Sequence, residues 1–268
     1  MIKDITIGQY IPGNSPVHKL DPRIKILISF AFVIDLFLVN NFEGYIFIAG
    51  FIFFSVIISR VKFKFIFNGL KPIFVLLIFT AALNILMLDG KVRLFHWGFI
   101  WIYKEGVIIA AFMVMRLTFL IVGTSLLTLT TSPIELTDGI EKLLGPFKRI
   151  GLPAHELAMM MTIALRFIPT LIDETDKIMK AQMARGADFE SGNIINRARN
   201  LIPLLVPLFI SSFRRADDLA MAMESRCYRG GEGRTRMKKL TLTYRDAVAS
   251  LVVVLLIVVS TTCKLWMG

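Results

Sequence analysis

The sequence predicts an all-α, polytopic membrane protein with about five transmembrane helices and a further domain of long amphipathic helices. Three observations carry this prediction. Hydrophobic residues make up 55% of the 268 residues, and the mean hydropathy of +0.67 exceeds what a soluble domain of this length carries. Five apolar stretches are long enough, or nearly so, to cross a hydrocarbon layer about 30 Å thick. Lys and Arg are concentrated in some connections and absent from others.

The five predicted spans divide the chain into a first membrane domain at 1–130, a polar domain at 131–245 and a last helix at 246–268. Two of the spans are short and depend on their flanks. Residues 1–20 are polar and lack the apolar run and cleavage site of a signal peptide, so we expect the first span to remain in the mature protein. The spans are predicted at 24–40, 44–59, 72–88, 107–130 and 246–263.

The distribution of Lys and Arg predicts the orientation, because basic connections stay on the cytoplasmic side of a membrane. The connection 40–44 has no basic residue, whereas 131–245 holds 18 of the 31 in the chain. We therefore expect the amino terminus and 131–245 in the cytoplasm and the carboxyl terminus outside. The connection 89–106 is only weakly basic and is expected outside, with interfacial aromatic residues at Trp97, Trp101 and Tyr103. The connection between the second and third spans is also predicted on the cytoplasmic side, because it carries Arg60, Lys62, Lys64 and Lys71.

Several function classes lack the residues that they need. The net charge of +11 could suit nucleic acid, but the basic residues lie beside spans and are mixed with 13 acidic residues in 131–245, so we expect no nucleic-acid partner. The sequence contains no glycine-rich phosphate loop and no nucleophile elbow, and its three histidines are scattered. Cys227 and Cys263 are predicted on opposite sides of the membrane, which suggests no disulfide. We predict no enzymatic activity, no cofactor and no metal.

The polar domain opens with a short predicted helix. Ser132 can cap its amino end, Pro133 suits the first helical position, and Glu135 stands where a capping box needs an acidic side chain. Gly145 and Pro146 follow as stop signals. We therefore predict a helix of about three turns directly after the fourth span.

Two long amphipathic helices are predicted next. One runs from Pro153 to Ala184 with a single apolar stripe and a kink at Pro169. The other runs from Asn196 to Arg226, apolar in its first half and charged in its second. Both are too long and too charged along one side to be ordinary loops, and their apolar halves are too strong for solvent. We expect them to lie along the membrane surface, packed on each other and on a partner.

Both long helices are predicted to end in an arginine between two small residues. A structural explanation is that a cation suits the negative end of the helix dipole, for about 0.3 to 1 kcal/mol, and that glycine caps the helix. A functional explanation is that small neighbours leave the guanidinium unshielded, so that it can pair with a carboxylate on another protein. Two such endings suggest two partner subunits. The endings are Ala184-Arg185-Gly186 and Ser225-Arg226-Cys227.

Two further motifs lie before the first span and after the last long helix. They are Tyr10-Ile11-Pro12-Gly13 with Ser15-Pro16-Val17-His18-Lys19-Leu20-Asp21-Pro22-Arg23, and Tyr228-Arg229-Gly230-Gly231-Glu232-Gly233-Arg234-Thr235-Arg236. With the two arginine triplets, these motifs resemble the transmembrane T component of energy-coupling factor (ECF) vitamin and metal transporters, over nearly the whole chain. Asp21 and Pro22 also suit the cap and first turn of a helix, so a structural explanation accounts for these two.

The resemblance implies a non-catalytic coupling subunit of an ATP-driven vitamin or micronutrient importer. In that family the T component holds two cytoplasmic ATPases and a membrane-embedded S component that binds the substrate. Arg185 and Arg226 match the arginines at the tips of the coupling helices, which dock into grooves on the ATPases. The second triplet departs from the family by using serine and cysteine where alanine and glycine are common. Small size is kept, but the resemblance does not determine the backbone shape after Arg226.

Methionines are frequent on the two long helices. At helical spacing such residues are often part of a core. Their flexible, polarisable side chains can also repack against differently shaped partners, which suits a surface that receives several S components in turn. Both explanations stay open. The candidates for an S-component interface are Met160, Met161, Met179, Met183 and Met221.

Asp35 and Arg116 are ionisable residues inside predicted spans, where such residues are functional candidates. Their simplest role is pairing with each other or burial in the helix bundle. Two other functions remain open as alternatives. A self-sufficient secondary carrier or channel would need such groups around a central cavity. A membrane insertase would need a groove lined by Arg116.

Overall fold

Helices form nearly all of the regular structure in the computed structural model, which describes residues 10–88, 92–97, 100–187, 189, 193, 195, 199–231 and 240–267. A 3₁₀ turn, Gly145–Ile150, follows the fifth helix. The α-helices are α1 (Pro22–Leu38), α2 (Phe42–Ser59), α3 (Phe63–Met87), α4 (Lys104–Thr130), α5 (Pro133–Leu144), α6 (Ala154–Ala184), α7 (Ile202–Ser225) and α8 (Tyr244–Met267). The predicted all-α fold class is confirmed.

A small β-hairpin lies between α3 and α4, where the sequence predicts only a connection. Its strands, β1 (Arg93–Trp97) and β2 (Ile100–Tyr103), pair antiparallel. The aromatic and β-branched residues of this segment suit a strand, which explains why it is not a plain loop. The side chains of Trp97 and Trp101 lie outside the described part of the chain, so their interfacial position stays a prediction.

Among the described residues, five helices are long and apolar enough to cross a membrane: α2, α3, α4, α6 and the Tyr244–Cys263 part of α8. The predicted number of spans is confirmed, but one member differs. The five do not include α1, the predicted first span, which is 17 residues long. They include α6, the predicted surface helix, because Glu156 and Arg166 are the only charged side chains between Ala154 and Ile172.

Two helix boundaries differ from the prediction at prolines. α3 begins at Phe63 and continues through Pro72, where the predicted span began. A proline inside a helix removes one hydrogen bond, and membrane helices tolerate it when neighbouring groups satisfy the backbone. α7 begins at Ile202 rather than Asn196, with Pro203 in its first turn, where the missing N–H has no helical partner to lose. Residues 196–198 lie outside the described part.

The predicted helix caps at Asp21 and Ser132 are confirmed. The Asp21 carboxylate accepts a hydrogen bond from the backbone N–H of Arg23 at 2.9 Å, and Pro22 is the first residue of α1. The Ser132 hydroxyl accepts from the backbone N–H of Glu135 at 3.3 Å. Each cap satisfies an amide that the helix itself leaves free, so these short sequence signals determine where α1 and α5 start.

The chain divides into two compact units. The bundle unit comprises 8–139 and 239–268, and the paired-helix unit comprises 140–238 together with 1–7, which lie outside the described residues. In the bundle unit, α1, α2 and α4 share a core that includes Leu36, Tyr45 and Ile48. Phe32 lies against Gly123, where an added Cβ would come within 2.4 Å of its ring. Such close packing, rather than hydrophobic burial, holds helices together in lipid.

A buried lysine joins the amino-terminal segment of the bundle unit to the end of α4. Lys25 is only 5% exposed. Its Nζ donates to the carbonyls of His18 at 3.1 Å and Thr130 at 3.0 Å, and to the Thr131 hydroxyl at 3.2 Å. Three acceptors match the three protons of an ammonium group, which compensates the loss of hydration.

A buried aspartate joins α8 to the start of α1. The Asp246 carboxylate accepts from the backbone N–H of Asp21 and from that of Thr243, both at 2.7 Å. Asp21 in turn accepts from the Arg23 guanidinium at 2.8 Å, and this hydrogen bond lowers the pKa of the Asp21 carboxyl. Two residues of the amino-terminal motif, His18 and Asp21, therefore take part in the contacts that connect α1, α4 and α8.

Asp35 and Arg116 do not pair with each other, so that part of the prediction is wrong. Asp35 is 1% exposed and accepts from the Ser260 hydroxyl of α8 at 2.6 Å. Arg116 donates to the Tyr45 hydroxyl at 3.0 Å, and its other hydrogen bonds are with the connection between α1 and α2. The two side chains serve different helix pairs, which explains why they do not meet. Burial in the bundle is confirmed for Asp35.

Candidate partner-docking site

α6 ends in a Schellman motif, in which two amides beyond a helix donate to carbonyls of its last turn. The amide of Gly186 donates to the carbonyl of Met183, and the amide of Ala187 donates to that of Gln182, both at 3.0 Å. Gly186 has a φ of 89°, in the left-handed region. Arg185, directly before it, has φ −90° and ψ 6° and is exposed. Arg185 therefore stands at the last position of the helix.

α7 ends in the same motif. The amide of Cys227 donates to the carbonyl of Glu224 at 2.8 Å, and the amide of Tyr228 donates to that of Met223 at 3.0 Å. Arg226 has φ −92° and ψ 16°, and Cys227 has a φ of 54°. The backbone after Arg226 therefore takes the same left-handed turn as that after Arg185, although glycine is absent.

The left-handed conformation is costly at Cys227. For a residue with a Cβ it costs roughly 1 to 2 kcal/mol, whereas glycine adopts it freely. Cys227 is exposed, so packing of its side chain does not offset this cost. The two hydrogen bonds of the cap are the interactions that hold it in place.

Both arginine side chains are available to a partner. All six residues of the two triplets are exposed. Neither the Arg185 nor the Arg226 guanidinium makes a hydrogen bond or ion pair with another residue that the structure describes. A guanidinium offers five donors in a planar fork that matches a carboxylate. Interaction with the helix dipole is compatible with the same positions, and charge reversal separates the two explanations.

The two arginines lie at opposite ends of a helix pair within the paired-helix unit. Glu174 of α6 accepts from the Ser211 hydroxyl and from the Arg215 guanidinium, the latter at 2.8 Å. Further along α6, Gln182 donates to the carbonyl of Pro203 at 3.4 Å. The contacts fall in antiparallel order. The distance along the helix axis from Glu174 to the end of α6 is about 16 Å. The distance from Ser211 to the end of α7 is about 22 Å, and it runs in the opposite direction.

The candidate methionines are mostly exposed, which a core position would not allow. Met179 is half-buried, and the other four are between 44% and 61% exposed. On α6, residues 161, 179 and 183 fall within about 40° of one another around the helix axis. The four exposed side chains are Met160, Met161, Met183 and Met221.

A second apolar face, on α7, was not identified residue by residue from the sequence. It lies opposite the stripe around Leu204, which is buried. Spacings of three, four and seven residues are the signal that could have identified it. The side chains of this face are between 43% and 68% exposed, and they are Leu205, Val206, Phe209, Ile210 and Phe213.

Groups that could hold a metal ion or react as a nucleophile do not assemble within the described residues. There, no three His, Cys, Asp or Glu side chains stand close enough to share a metal. His155 contacts Glu141 at 3.1 Å. Cys227 and Cys263 are both free. Exposed charge and apolar faces are therefore the features that this site offers, and they suit binding to proteins.

Comparisons with known proteins give a consistent result. The family model described as cobalt transport protein matches residues 13–237. A protein of Clostridium kluyveri is 67% identical over the whole of both chains. Relatives from Thermosediminibacter oceani and Bacillus subtilis are 64% and 51% identical; they match 92% and 94% of this chain and 93% and 96% of their own lengths. Each of the three is named energy-coupling factor transporter transmembrane protein.

Proposed function

This chain belongs to the family of energy-coupling factor transporter transmembrane proteins, and from that premise we propose that it couples two cytoplasmic ATPases to a substrate-binding S component. It is a multi-pass membrane protein. In this proposal the chain itself hydrolyses nothing. ATP hydrolysis belongs to the partner subunits, and the cargo is a vitamin or another micronutrient that the S component selects.

The observation that carries the proposal is the pair of matching helix ends at Arg185 and Arg226. Each places an exposed guanidinium at the last position of a long helix, and the two ends point in opposite directions along the pair. One tip for each of two ATPases is the arrangement that this geometry favours. An acidic groove on each ATPase would pair with the planar guanidinium through charge-assisted hydrogen bonds.

Movement would be transmitted through the contacts between α6 and α7. When ATP draws the two ATPases together, both tips move with them, and the Glu174 contacts with Ser211 and Arg215 make the helices respond as a pair. The helices then push or tilt the S component. The helices can drive the S component only if it interacts differently with them before and after they move. The S component therefore has to contact the moving helices directly.

The proposed contact surface for the S component is the exposed methionine set on α6 and α7. Unbranched methionine side chains adapt to partners of different shape. The apolar face of α7 around Phe209 extends the same kind of surface. Both surfaces are apolar enough to exclude water from a contact, and exposing either of them to water is unfavourable in free energy.

The proposed orientation places the amino terminus and 131–245 in the cytoplasm and the carboxyl terminus outside. The basic connections support it. In this arrangement α1 crosses the membrane together with α2, α3, α4 and α8, and α6 and α7 lie along its inner surface. The charged side chains at the carboxyl-terminal half of α6, from Asp173 to Lys180, favour a surface position over a full crossing.

Purification and reconstitution test this function against the alternatives. The tagged chain, purified in mild detergent with the proteins that accompany it, should carry two ATPase subunits and one further membrane protein, counted by native mass spectrometry. The chain alone in liposomes should transport nothing. Substrate movement by the isolated chain would instead establish a secondary carrier or channel. Recovery with ribosomes or nascent chains would establish a membrane insertase.

A further inference from the structure

A cavity of about 330 Å³ lies in the bundle unit between α1, α2, α4 and α8. Its walls are almost entirely apolar and include Phe32, Phe51 and Phe54. This volume falls within the range of roughly 300 to 1,000 Å³ that small-molecule sites occupy. None of the residues assigned to partner docking lines it, so the cavity needs an explanation of its own.

The depth of the cavity matches one leaflet of a bilayer. Each of the four helices lines it over eight to ten residues from the same end of the bundle, which corresponds to about 10 to 14 Å. Half of the hydrocarbon layer is about 15 Å thick. The lining stretches are 25–32 on α1, 51–58 on α2, 123–130 on α4 and 244–253 on α8.

The mouth of the cavity carries the polar groups. Of the two cations that line it, Lys25 already donates to three acceptors, whereas Arg245 is exposed. The Arg245 guanidinium lies 5.8 Å from the centre of the Tyr244 ring. An aromatic ring and a cation at the end of a membrane helix are typical of the level of lipid headgroups.

The amino-terminal motif forms the rest of the mouth. Pro16, Val17 and Leu20 line the cavity there. Hydrogen bonds of His18 hold this segment in place: its Nδ1 lies 2.6 Å from the hydroxyl of Ser15, and its Nε2 lies 3.0 Å from the carbonyl of Ile11. Helix capping by Asp21 and Pro22 does not explain why the motif contains Pro16, Val17 and His18. Forming the mouth of the cavity does explain their presence.

We propose that this cavity binds one acyl chain of an anionic phospholipid, whose phosphate pairs with Arg245. The apolar walls and the one-leaflet depth select an acyl chain. The exposed guanidinium at the polar end selects an anionic headgroup. A water-soluble substrate is disfavoured, because Ser29 and Ser55 are the hydroxyl-bearing side chains in the walls below the mouth, and a polar ligand would lose its hydration without enough partners.

The test uses the full chain in nanodiscs that contain equal amounts of phosphatidylglycerol and phosphatidylcholine, followed by native mass spectrometry of the released protein. The wild-type protein is expected to retain one phosphatidylglycerol. Ala249→Leu, which fills the cavity from α8, should reduce retention at least fivefold. Its control, Ala247→Leu, changes an exposed residue two positions earlier on the same helix and should retain the lipid.

The headgroup contact has a separate test. Arg245→Gln should lower the preference for phosphatidylglycerol over phosphatidylcholine about fivefold, the effect of one cation near a lipid surface. Arg60→Gln, which removes an exposed arginine outside the cavity, should leave the preference unchanged. Ser55→Leu fills the cavity from α2 and repeats the first test if Ala249→Leu melts early.

Four outcomes would overturn the proposal. One is a wild-type protein that releases all lipid under conditions in which it stays folded. Another is equal retention by the variants at 247 and 249, which would show lipid bound elsewhere on the bundle. The third is equal retention of the two phospholipids by the wild-type protein, which would remove the role of Arg245. The fourth is lipid that is retained only after a partner membrane protein is removed, because this would show that a side chain of the partner fills the cavity.

Discussion

Gly186 and Cys227 hold the same place in two copies of one helix ending: each is the left-handed residue that directly follows an exposed arginine. Both amides donate to a carbonyl three residues back, at 3.0 Å and 2.8 Å. The chain thus builds one backbone shape with two different residues. One of them adopts this shape freely, and the other adopts it at a cost.

The first prediction follows from that cost. Cys227→Gly should raise the free energy of unfolding by up to about 1 kcal/mol, and Gly186→Ala should lower it by roughly 1 to 2 kcal/mol, because only the backbone strain changes. No atom lies within 4 Å of a Cβ added at Gly186 or at the control position Gly145, but Gly145 is not left-handed. Thermal unfolding of the purified variants measures the effect. Equal losses in Gly186→Ala and Gly145→Ala would contradict it.

The second prediction concerns the buried carboxylate that joins α8 to α1. Asp246→Asn should destabilise the protein by about 2 kcal/mol, because the backbone N–H groups of Asp21 and Thr243 bind different oxygens of the carboxylate, and an amide replaces one of these with an NH₂ group that cannot accept. Asp218→Asn makes the same chemical change at an exposed position and should be nearly neutral. Melting temperatures in one detergent compare the two. A neutral Asp246→Asn would show that this contact contributes little.

The third prediction concerns orientation and uses a background without Cys227 and Cys263. Glu43→Cys should react with an impermeant thiol reagent in intact cells, whereas Arg229→Cys should react only after the cells are opened. Both positions are exposed. A cysteine at Gly44 is less suitable, because its Cβ would come within 2.4 Å of Val39. The reverse labelling pattern would place 131–245 outside and remove any contact with cytosolic ATPases.

The fourth prediction concerns the methionine surface. Met161→Asp and Met183→Asp should weaken recovery of the S component while the ATPases stay attached, because each forces a charge into an apolar contact. Ala181→Asp adds the same charge to an exposed position that lies about 160° around the helix from Met183, and it should have no effect. Quantitative co-purification separates these outcomes. Unchanged recovery of the S component in both methionine variants would remove them from the interface.

The parts of the fold that the sequence predicts well depend on short local signals. Asp21 and Pro22 start a helix, Ser132 caps the next short one, and the arginine triplets end two long ones, because caps are determined by residues within one turn. The candidate docking residues were identified for the same reason. Arg185 and Arg226 stand at helix ends, and helix ends have sequence signatures.

The parts that it does not predict depend on contacts between distant residues or on a balance of weak preferences. Ser260 pairs with Asp35 across 225 positions, and no local pattern indicates that choice over Arg116. Pro72 reads as a helix start, yet α3 runs through it, because neighbouring groups in a membrane protein can offset one lost hydrogen bond. α6 combines an apolar half with a charged half, so its composition alone suits both a span and a surface helix.

In the proposed function, Arg185 and Arg226 each hold one ATPase. Reversing either charge to glutamate should place like charges together at an interface and cost about 2 to 5 kcal/mol, so each single variant should loosen one ATPase. A role in the helix dipole alone would cost only tenths of a kcal/mol to about 1 kcal/mol and would leave the assembly intact. Arg214→Glu reverses an exposed charge on α7 away from the tip and serves as the matched control.

The most direct measurement is the number of ATPase subunits that co-purify with the Arg185→Glu, Arg226→Glu double variant, together with substrate uptake by cells that carry it. We expect that both ATPases are released and uptake is lost, while the membrane protein keeps its melting temperature and the Arg214→Glu variant keeps its partners. A double variant that retains both ATPases and full uptake would rule out the coupling role and leave the two arginines with a structural role at the ends of their helices.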